Sequence, residues 1–153
     1  MSKIYLLCEL NDENYAYATY SFYKTFEEAE QAAIQTCKDW ENDCDIEVEN
    51  DGFRVTGNYD ESFFVTEIKQ IATTQGTHLL VWHHGYEGVD FEVRFQETYE
   101  ECKLKMKEDM DNTIEECECL PEDICHNVID TGNEWKVWDI VEIEGVNKCA
   151  NIN

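Results

Sequence analysis

With 35 Asp and Glu against 11 Lys and Arg in 153 residues, the chain carries a formal charge of -24. A field of that sign disfavours nucleic acid, anionic membrane and phosphorylated ligands as direct partners. Hydrophobic residues at 42% and aromatics at 12% exclude the composition of a disordered acidic tail, so the charge is expected on the surface of a folded body.

At the N-terminus, Met1 to Leu10 has one Lys and an apolar run interrupted at Cys8-Glu9. That run is too short for a signal-peptide core or a membrane span, and a cytoplasmic location is expected. Eight cysteines in that setting read as free thiols or metal ligands rather than a disulfide framework. Asn11-Asp12-Glu13-Asn14 marks a turn, and Ala16, Ala18, Tyr20 and Phe22 then alternate with Tyr15, Tyr17, Thr19 and Ser21 as a strand. Thr25-Phe26-Glu27-Glu28 has the residues of a capping box, and Phe26, Ala29, Ala33, Cys37, Trp40 and Cys44 follow at helical spacing. A hairpin turning at Asn50-Asp51-Gly52 comes next, and a strand around Phe63 to Ile71 closes the unit.

The pattern then repeats. An offset of 73 residues sets Leu6-Leu7 on Leu79-Leu80, Phe22 on Phe95 and Thr25 to Glu28 on Thr98 to Glu101. The helical stripe continues as Tyr99, Cys102, Met106, Met110, Thr113 and Cys117, and Phe63, Val65, Ile68 and Ile71 reappear as Trp135, Val137, Ile140 and Ile143. Between them, Val89, Phe91, Val93 and Phe95 alternate with polar residues after a turn at Gly85-Tyr86-Glu87-Gly88. The expected fold is α+β, a tandem duplication of a β-β-α-β-β unit in which one helix crosses one face of an antiparallel sheet. The units are expected at 1-74 and 75-153, jointed near Gln75-Gly76-Thr77 and packed together as one body. Phe26, Ala33, Cys37 and Trp40 are expected to be buried in the first, and Tyr99, Met106 and Met110 in the second. Cys119 to Asp123, around Pro121, breaks the second pattern.

From Asp39 to Asp51 every second residue is a carboxylate: Asp39, Glu41, Asp43, Asp45, Glu47, Glu49 and Asp51, with no Lys or Arg between. On a strand, alternation sets Asp45, Glu47, Glu49 and Asp51 on one face about 6.6 Å apart. That is roughly half the linear charge density of one DNA strand. Plain amphipathicity explains the same pattern, with Ile46 and Val48 toward a core. Acids also crowd the expected helix C-termini, Asp39, Glu41 and Asp43 at the first and Glu115, Glu116 and Glu118 at the second, where the helix dipole favours cations. These ten carboxylates are the candidate partner-binding residues.

Other chemistry is thin. Cys117, Cys119, Cys125 and His126 supply four soft ligands in ten residues, but their Cys-x-Cys spacing is poor for tetrahedral zinc, and no metal or other cofactor is expected. Asp109 to Thr113 resembles the Asp-x-Asp-x-Thr motif of haloacid-dehalogenase-type phosphatases, yet it falls inside the second helix rather than after a strand. Asp43 to Arg54 fails as a calcium loop at Val48 and Arg54. His83-His84 reads as a surface hairpin end. No nucleophile elbow or glycine-rich phosphate loop is present, so the chain is not expected to be an enzyme. Tyr15, Tyr17, Trp82, Tyr86 and Trp138 are candidates for partly exposed aromatics at an interface.

In size, acidity and lack of catalytic motifs the chain resembles the acidic inhibitors of phages and mobile elements, the anti-CRISPR and anti-restriction DNA mimics. The resemblance implies an inhibitor lodged in the Lys- and Arg-lined channel of a basic nucleic-acid-binding protein, a host nuclease, with no direct contact to nucleic acid or membrane. Two other readings stay open: an acidic interaction module unrelated to mimicry, and a metal-dependent activity around Cys117 to His126.

Overall fold

The structure, a computed structural model, describes residues 3–14, 17–72, 76–85, 89–132 and 134–143. Tyr15, Ala16, Gln75 and the turn residues Tyr86 to Gly88 lie outside the described residues. The chain divides into two compact units, Met1–Thr74 and Gln75–Asn153.

In the first unit, β1 (Lys3–Asn11) and β2 (Thr19–Tyr23) precede α1 (Phe26–Trp40), and β3 (Asp45–Glu49), β4 (Arg54–Tyr59) and β5 (Ser62–Ala72) follow. All pairings are antiparallel, in the order β2-β1-β5-β4-β3. In the second, β6 (His78–Gly85) and β7 (Val89–Glu97) precede α2 (Tyr99–Cys117), and β8 (Ile124–Cys125), β9 (Val128–Asp130) and β10 (Trp135–Glu142) follow, in the order β7-β6-β10-β9-β8. Strand for strand the two orders are the same, which is consistent with a duplicated unit. Each unit has three strands after its helix where two were expected.

Thr25 and Thr98 start the helices as expected. The backbone N–H of Glu28 donates to Thr25 Oγ1 at 3.2 Å, and that of Glu101 to Thr98 Oγ1 at 3.2 Å. Such caps are worth about 1 kcal/mol each. The return half of the box differs in α2, where the Thr98 hydroxyl donates to Glu101 Oε1 at 3.1 Å.

Helical spacing decides what each unit buries. Ala29, Ala33 and Cys37 of α1 pack on Leu7, Val55 and Ile68, with Phe26, Ile46, Phe53 and Phe64 around them. The equivalent cluster joins Cys102 and Met110 of α2 to Leu80, Ile129 and Trp138, with Met106, Phe95 and Ile140 around them. The pairs Leu7/Leu80, Ala29/Cys102, Cys37/Met110 and Ile68/Ile140 thus fill matching core positions. Complete burial of a Leu, Ile or Val contributes about 1.5–3 kcal/mol. Gly57 lets α1 approach β4, because a Cβ there would sit 3.3 Å from Cys44 Sγ and 3.4 Å from Cys37 Cβ. Gly85 likewise admits the Trp135 ring, with which a Cβ at that position would clash.

Six expectations about packing need correction, two of them because Phe26 and Met106 are half-buried rather than buried. Tyr99 is 47% exposed, its ring edge-on to His78 at 5.5 Å and beneath Lys103. Its counterpart Phe26 is half-buried against Phe53 at 4.6 Å, on a turn the second unit lacks. Trp40 is half-buried rather than buried. Cys44 leaves the helical stripe because α1 ends at Trp40 with Glu41 extended, so its thiol instead donates to the Cys37 carbonyl at 3.2 Å. His83 is fully buried rather than at a surface turn, since alternation along β6 sends its ring between Phe91 and Trp135.

Candidate partner-binding surface

The acidic row is divided among three local structures. Asp39 lies in the last turn of α1 and accepts from Gln35 Nε2 at 2.8 Å, while Glu41 is the extended C-cap. Asp43 is exposed in the turn that leads into β3. Asp45, Glu47 and Glu49 are exposed along β3, and they share the sheet face turned away from α1, because the intervening Ile46 packs into the α1 cluster. Asp51 departs from the row. It sits in a 3-10 turn with Asn50, both left-handed at φ 54° and 53°, so the alternation stops at Glu49.

Two features differ from the expected row. Val48, expected toward the core, is 52% exposed, because β3 is the terminal strand of its sheet and only Ile46 reaches the helix. The row is also not wholly free of cations. Register sets Arg54 opposite Glu49, and the Arg54 Nε lies 3.8 Å from Glu49 Oε2 while Nη1 binds Glu67.

The helix termini are unequal. α1 carries Lys38 in its last turn, which complements the dipole, whereas α2 has no base in its last turn and exposes Glu115, Glu116 and Glu118 there. Glu118 is the C-cap, left-handed at φ 51°, with its N–H on the Ile114 carbonyl. Glycine is the residue that takes this conformation without cost, and an acid at a helix C-terminus is unfavourable as well. Glu118→Gly is therefore expected to raise stability by about 1 kcal/mol, read as a higher urea midpoint at unchanged slope. A lower midpoint would show that Glu118 makes a compensating contact.

The structure does not bring Cys117, Cys119, Cys125 and His126 together. Cys117 ends α2 with its Sγ 3.8 Å from Lys136 Nζ, Cys119 packs on the α2 cluster, and Cys125 and His126 are exposed at the β8–β9 turn. Among the described residues no group of three or more His, Cys, Asp or Glu is arranged to hold a metal ion. Burial, the Cys44 thiol and Glu9 push the Cys37 thiol up to about 12, and burial raises Cys102 too. An alkylating reagent applied to the native protein is expected to modify exposed Cys117 and Cys125 first and to spare Cys8, Cys37 and Cys102. Denatured without reductant, the chain should titrate close to the eight thiols of its sequence. One bound zinc in native mass spectrometry would overturn the expectation of metal-free thiols.

A polar cleft between α2 and its sheet escapes a reading based on motifs. It encloses about 250 Å³, with Trp82, Arg94 and Lys136 on the sheet side and Asp109, Asn112 and Glu116 on the helix side. Asp109 is only 7% exposed. Its Oδ2 accepts from Arg94 Nε and its Oδ1 faces Lys105 Nζ, each at 3.2 Å. Asp109, the first residue of the Asp-x-Asp-x-Thr string, is thus engaged by two cations inside a helix. The sequence signal for the pair was Lys105 one helical turn before Asp109, a row beside the stripe of Met106 and Met110. Arg94 also lies over the Trp82 ring, 5.7 Å from its centre. Of the candidate aromatics, Tyr17 is 78% exposed while Trp138, on the central strand β10, is buried.

No protein-family model matches the chain, and neither a curated protein nor a solved structure is found similar to it. Among the described residues no helix is long and apolar enough to cross a membrane.

Proposed function

We propose that the chain is an acidic, non-enzymatic inhibitor that enters the basic nucleic-acid channel of a nuclease and imitates nucleic-acid charge, as its resemblance to anti-CRISPR and anti-restriction mimics implies. The observation that carries this reading is the exposed series Asp39, Asp43, Asp45, Glu47 and Glu49 at one edge of the first unit. Exposed like charges on an ordered frame keep their spacing, and a Lys- and Arg-lined channel reads spacing and sign together. Glu115, Glu116 and Glu118 form a second exposed group on the other unit. The site of action on this reading is the cytoplasm, where free thiols persist.

The test is capture of basic proteins from a host lysate, followed by binding to the captured partner with and without its nucleic acid. Mutual exclusion supports imitation. Simultaneous binding, with neither ligand weakening the other, replaces it with an interaction module that meets a basic partner elsewhere. The exposed apolar residues Val48 and Tyr59 favour that second reading, since charge imitation makes no use of them.

A further inference from the structure

Among the described residues β3 pairs with β4 on one side and ends its sheet on the other. The N–H and C=O groups along the outer side of such a strand are a template for another strand, and natural proteins blunt the edge by shortness, Pro, a bulge or charged side chains, which repel any strand that does not bring the opposite charge. The corresponding edge of the second unit is blunted in this way, for β8 is only the two residues Ile124–Cys125, directly after the Pro121–Asp123 turn. β3 runs for five residues, holds no Pro or Lys, and pairs with β4 without a register shift. What it carries instead is a carboxylate at every second position and the exposed Val48 between two of them.

These side chains select the occupant. Carboxylates set opposite carboxylates repel, so a second copy of β3 is rejected, whereas a strand with a cation at every second position is matched pair by pair. Side chains on one face recur about every 6.6 Å on both strands, so the match holds along the whole edge. Asp45 and Glu47 supply most of it, because Glu49 already faces Arg54.

Resting on the reading that the partner is basic, we propose that β3 binds by strand addition an extended segment of that partner with Lys or Arg at alternate positions and an apolar residue between them. Main-chain hydrogen bonds supply affinity, the cations face Asp45 and Glu47, and the apolar residue next to the partner of Glu47 lies against Val48 on the other face. This is a directional contact with a register, where simple charge attraction has none.

The probe is a synthetic peptide alternating Lys and Val, compared with the same peptide N-methylated along one edge, which keeps every charge and removes the donors. Both are titrated into the full chain by calorimetry, and hydrogen exchange is followed at the β3 amides. Strand addition predicts exchange protection in β3 and at least roughly tenfold tighter binding of the unmethylated peptide, the loss expected from several main-chain hydrogen bonds. Equal affinity of the two peptides, or binding without protection in β3, would overturn it. The two failures are separable. If the peptides bind alike while nucleic acid still displaces the chain from the captured partner, strand addition is wrong and charge imitation stands. If β3 is protected while nucleic acid and the chain share the partner, imitation is wrong and strand addition stands.

Discussion

Reversing Asp45, Glu47 and Glu49 to Lys is expected to slow association with the captured basic partner by on the order of tenfold or more and to flatten its salt dependence. All three side chains are exposed, so the field they project into solvent changes sign while no core contact is lost. Exposed substitutions of this kind stay within about 0.5 kcal/mol of the parent stability. Glu49 is the exception. Lys at that position faces Arg54 across the β3–β4 pair, and like charges directly opposite cost up to about 1 kcal/mol. The double reversal at Asp45 and Glu47 avoids that penalty and is the cleaner comparison. Stopped-flow association at low and moderate salt, beside a urea melt of each variant, separates the two effects. An unchanged association rate with an unchanged salt slope would remove the row from the interface.

The parts of the fold legible in the sequence are those where one local rule decides. Thr25 and Thr98 before acidic first turns announce both helices, and apolar residues three and four apart announce Ala29, Ala33 and Cys37 as the buried face, because cap chemistry and helical period act within a few residues. The third strand after each helix was legible in one unit only. In the first, the hairpin at Asn50-Asp51-Gly52 and the strand around Phe63 to Ile71 already amount to β3, β4 and β5, so the β-β-α-β-β count fell one short of its own elements. In the second, β8 and β9 hold two and three residues, too few to alternate.

Exposure depended on position in the sheet, which spacing does not report. Val48 and Ile46 have the same alternation, yet only Ile46 lies under α1. Trp138 is buried because it lies on the face of β10 covered by α2, in the cluster of Cys102 and Met110. Of the candidate surface, the alternation from Asp45 to Glu49 was legible in full. The intrusion of Arg54 was not, since it depends on cross-strand register. The same is true of Arg94 on Asp109, which joins β7 to α2.

Replacing Asp109 with Ala is expected to cost about 2–3 kcal/mol, the largest single-site loss of stability anticipated for this chain outside its apolar clusters. The carboxylate is nearly buried, and its two oxygens engage Arg94 and Lys105. Removing one partner of a buried ion pair leaves cations that gave up solvent without a counter-charge, a loss of about 3–5 kcal/mol when burial is complete. Here Arg94 is 35% exposed and Lys105 28%, and each keeps a second acid, Glu92 at 3.2 Å and Glu108 at 3.6 Å. Solvent and these acids screen the stranded charges, which places the expectation below the fully buried value. Asp109→Asn keeps the volume and one acceptor, so it should cost less than Ala. In a double-mutant cycle with Arg94→Ala the coupling should be favourable and near 1 kcal/mol, as for contacting residues in one network. Urea unfolding of the four proteins gives all of these quantities. Additive losses would mean that Arg94 and Asp109 do not act on each other, and that the walls of the cleft beside Trp82 are held by packing alone.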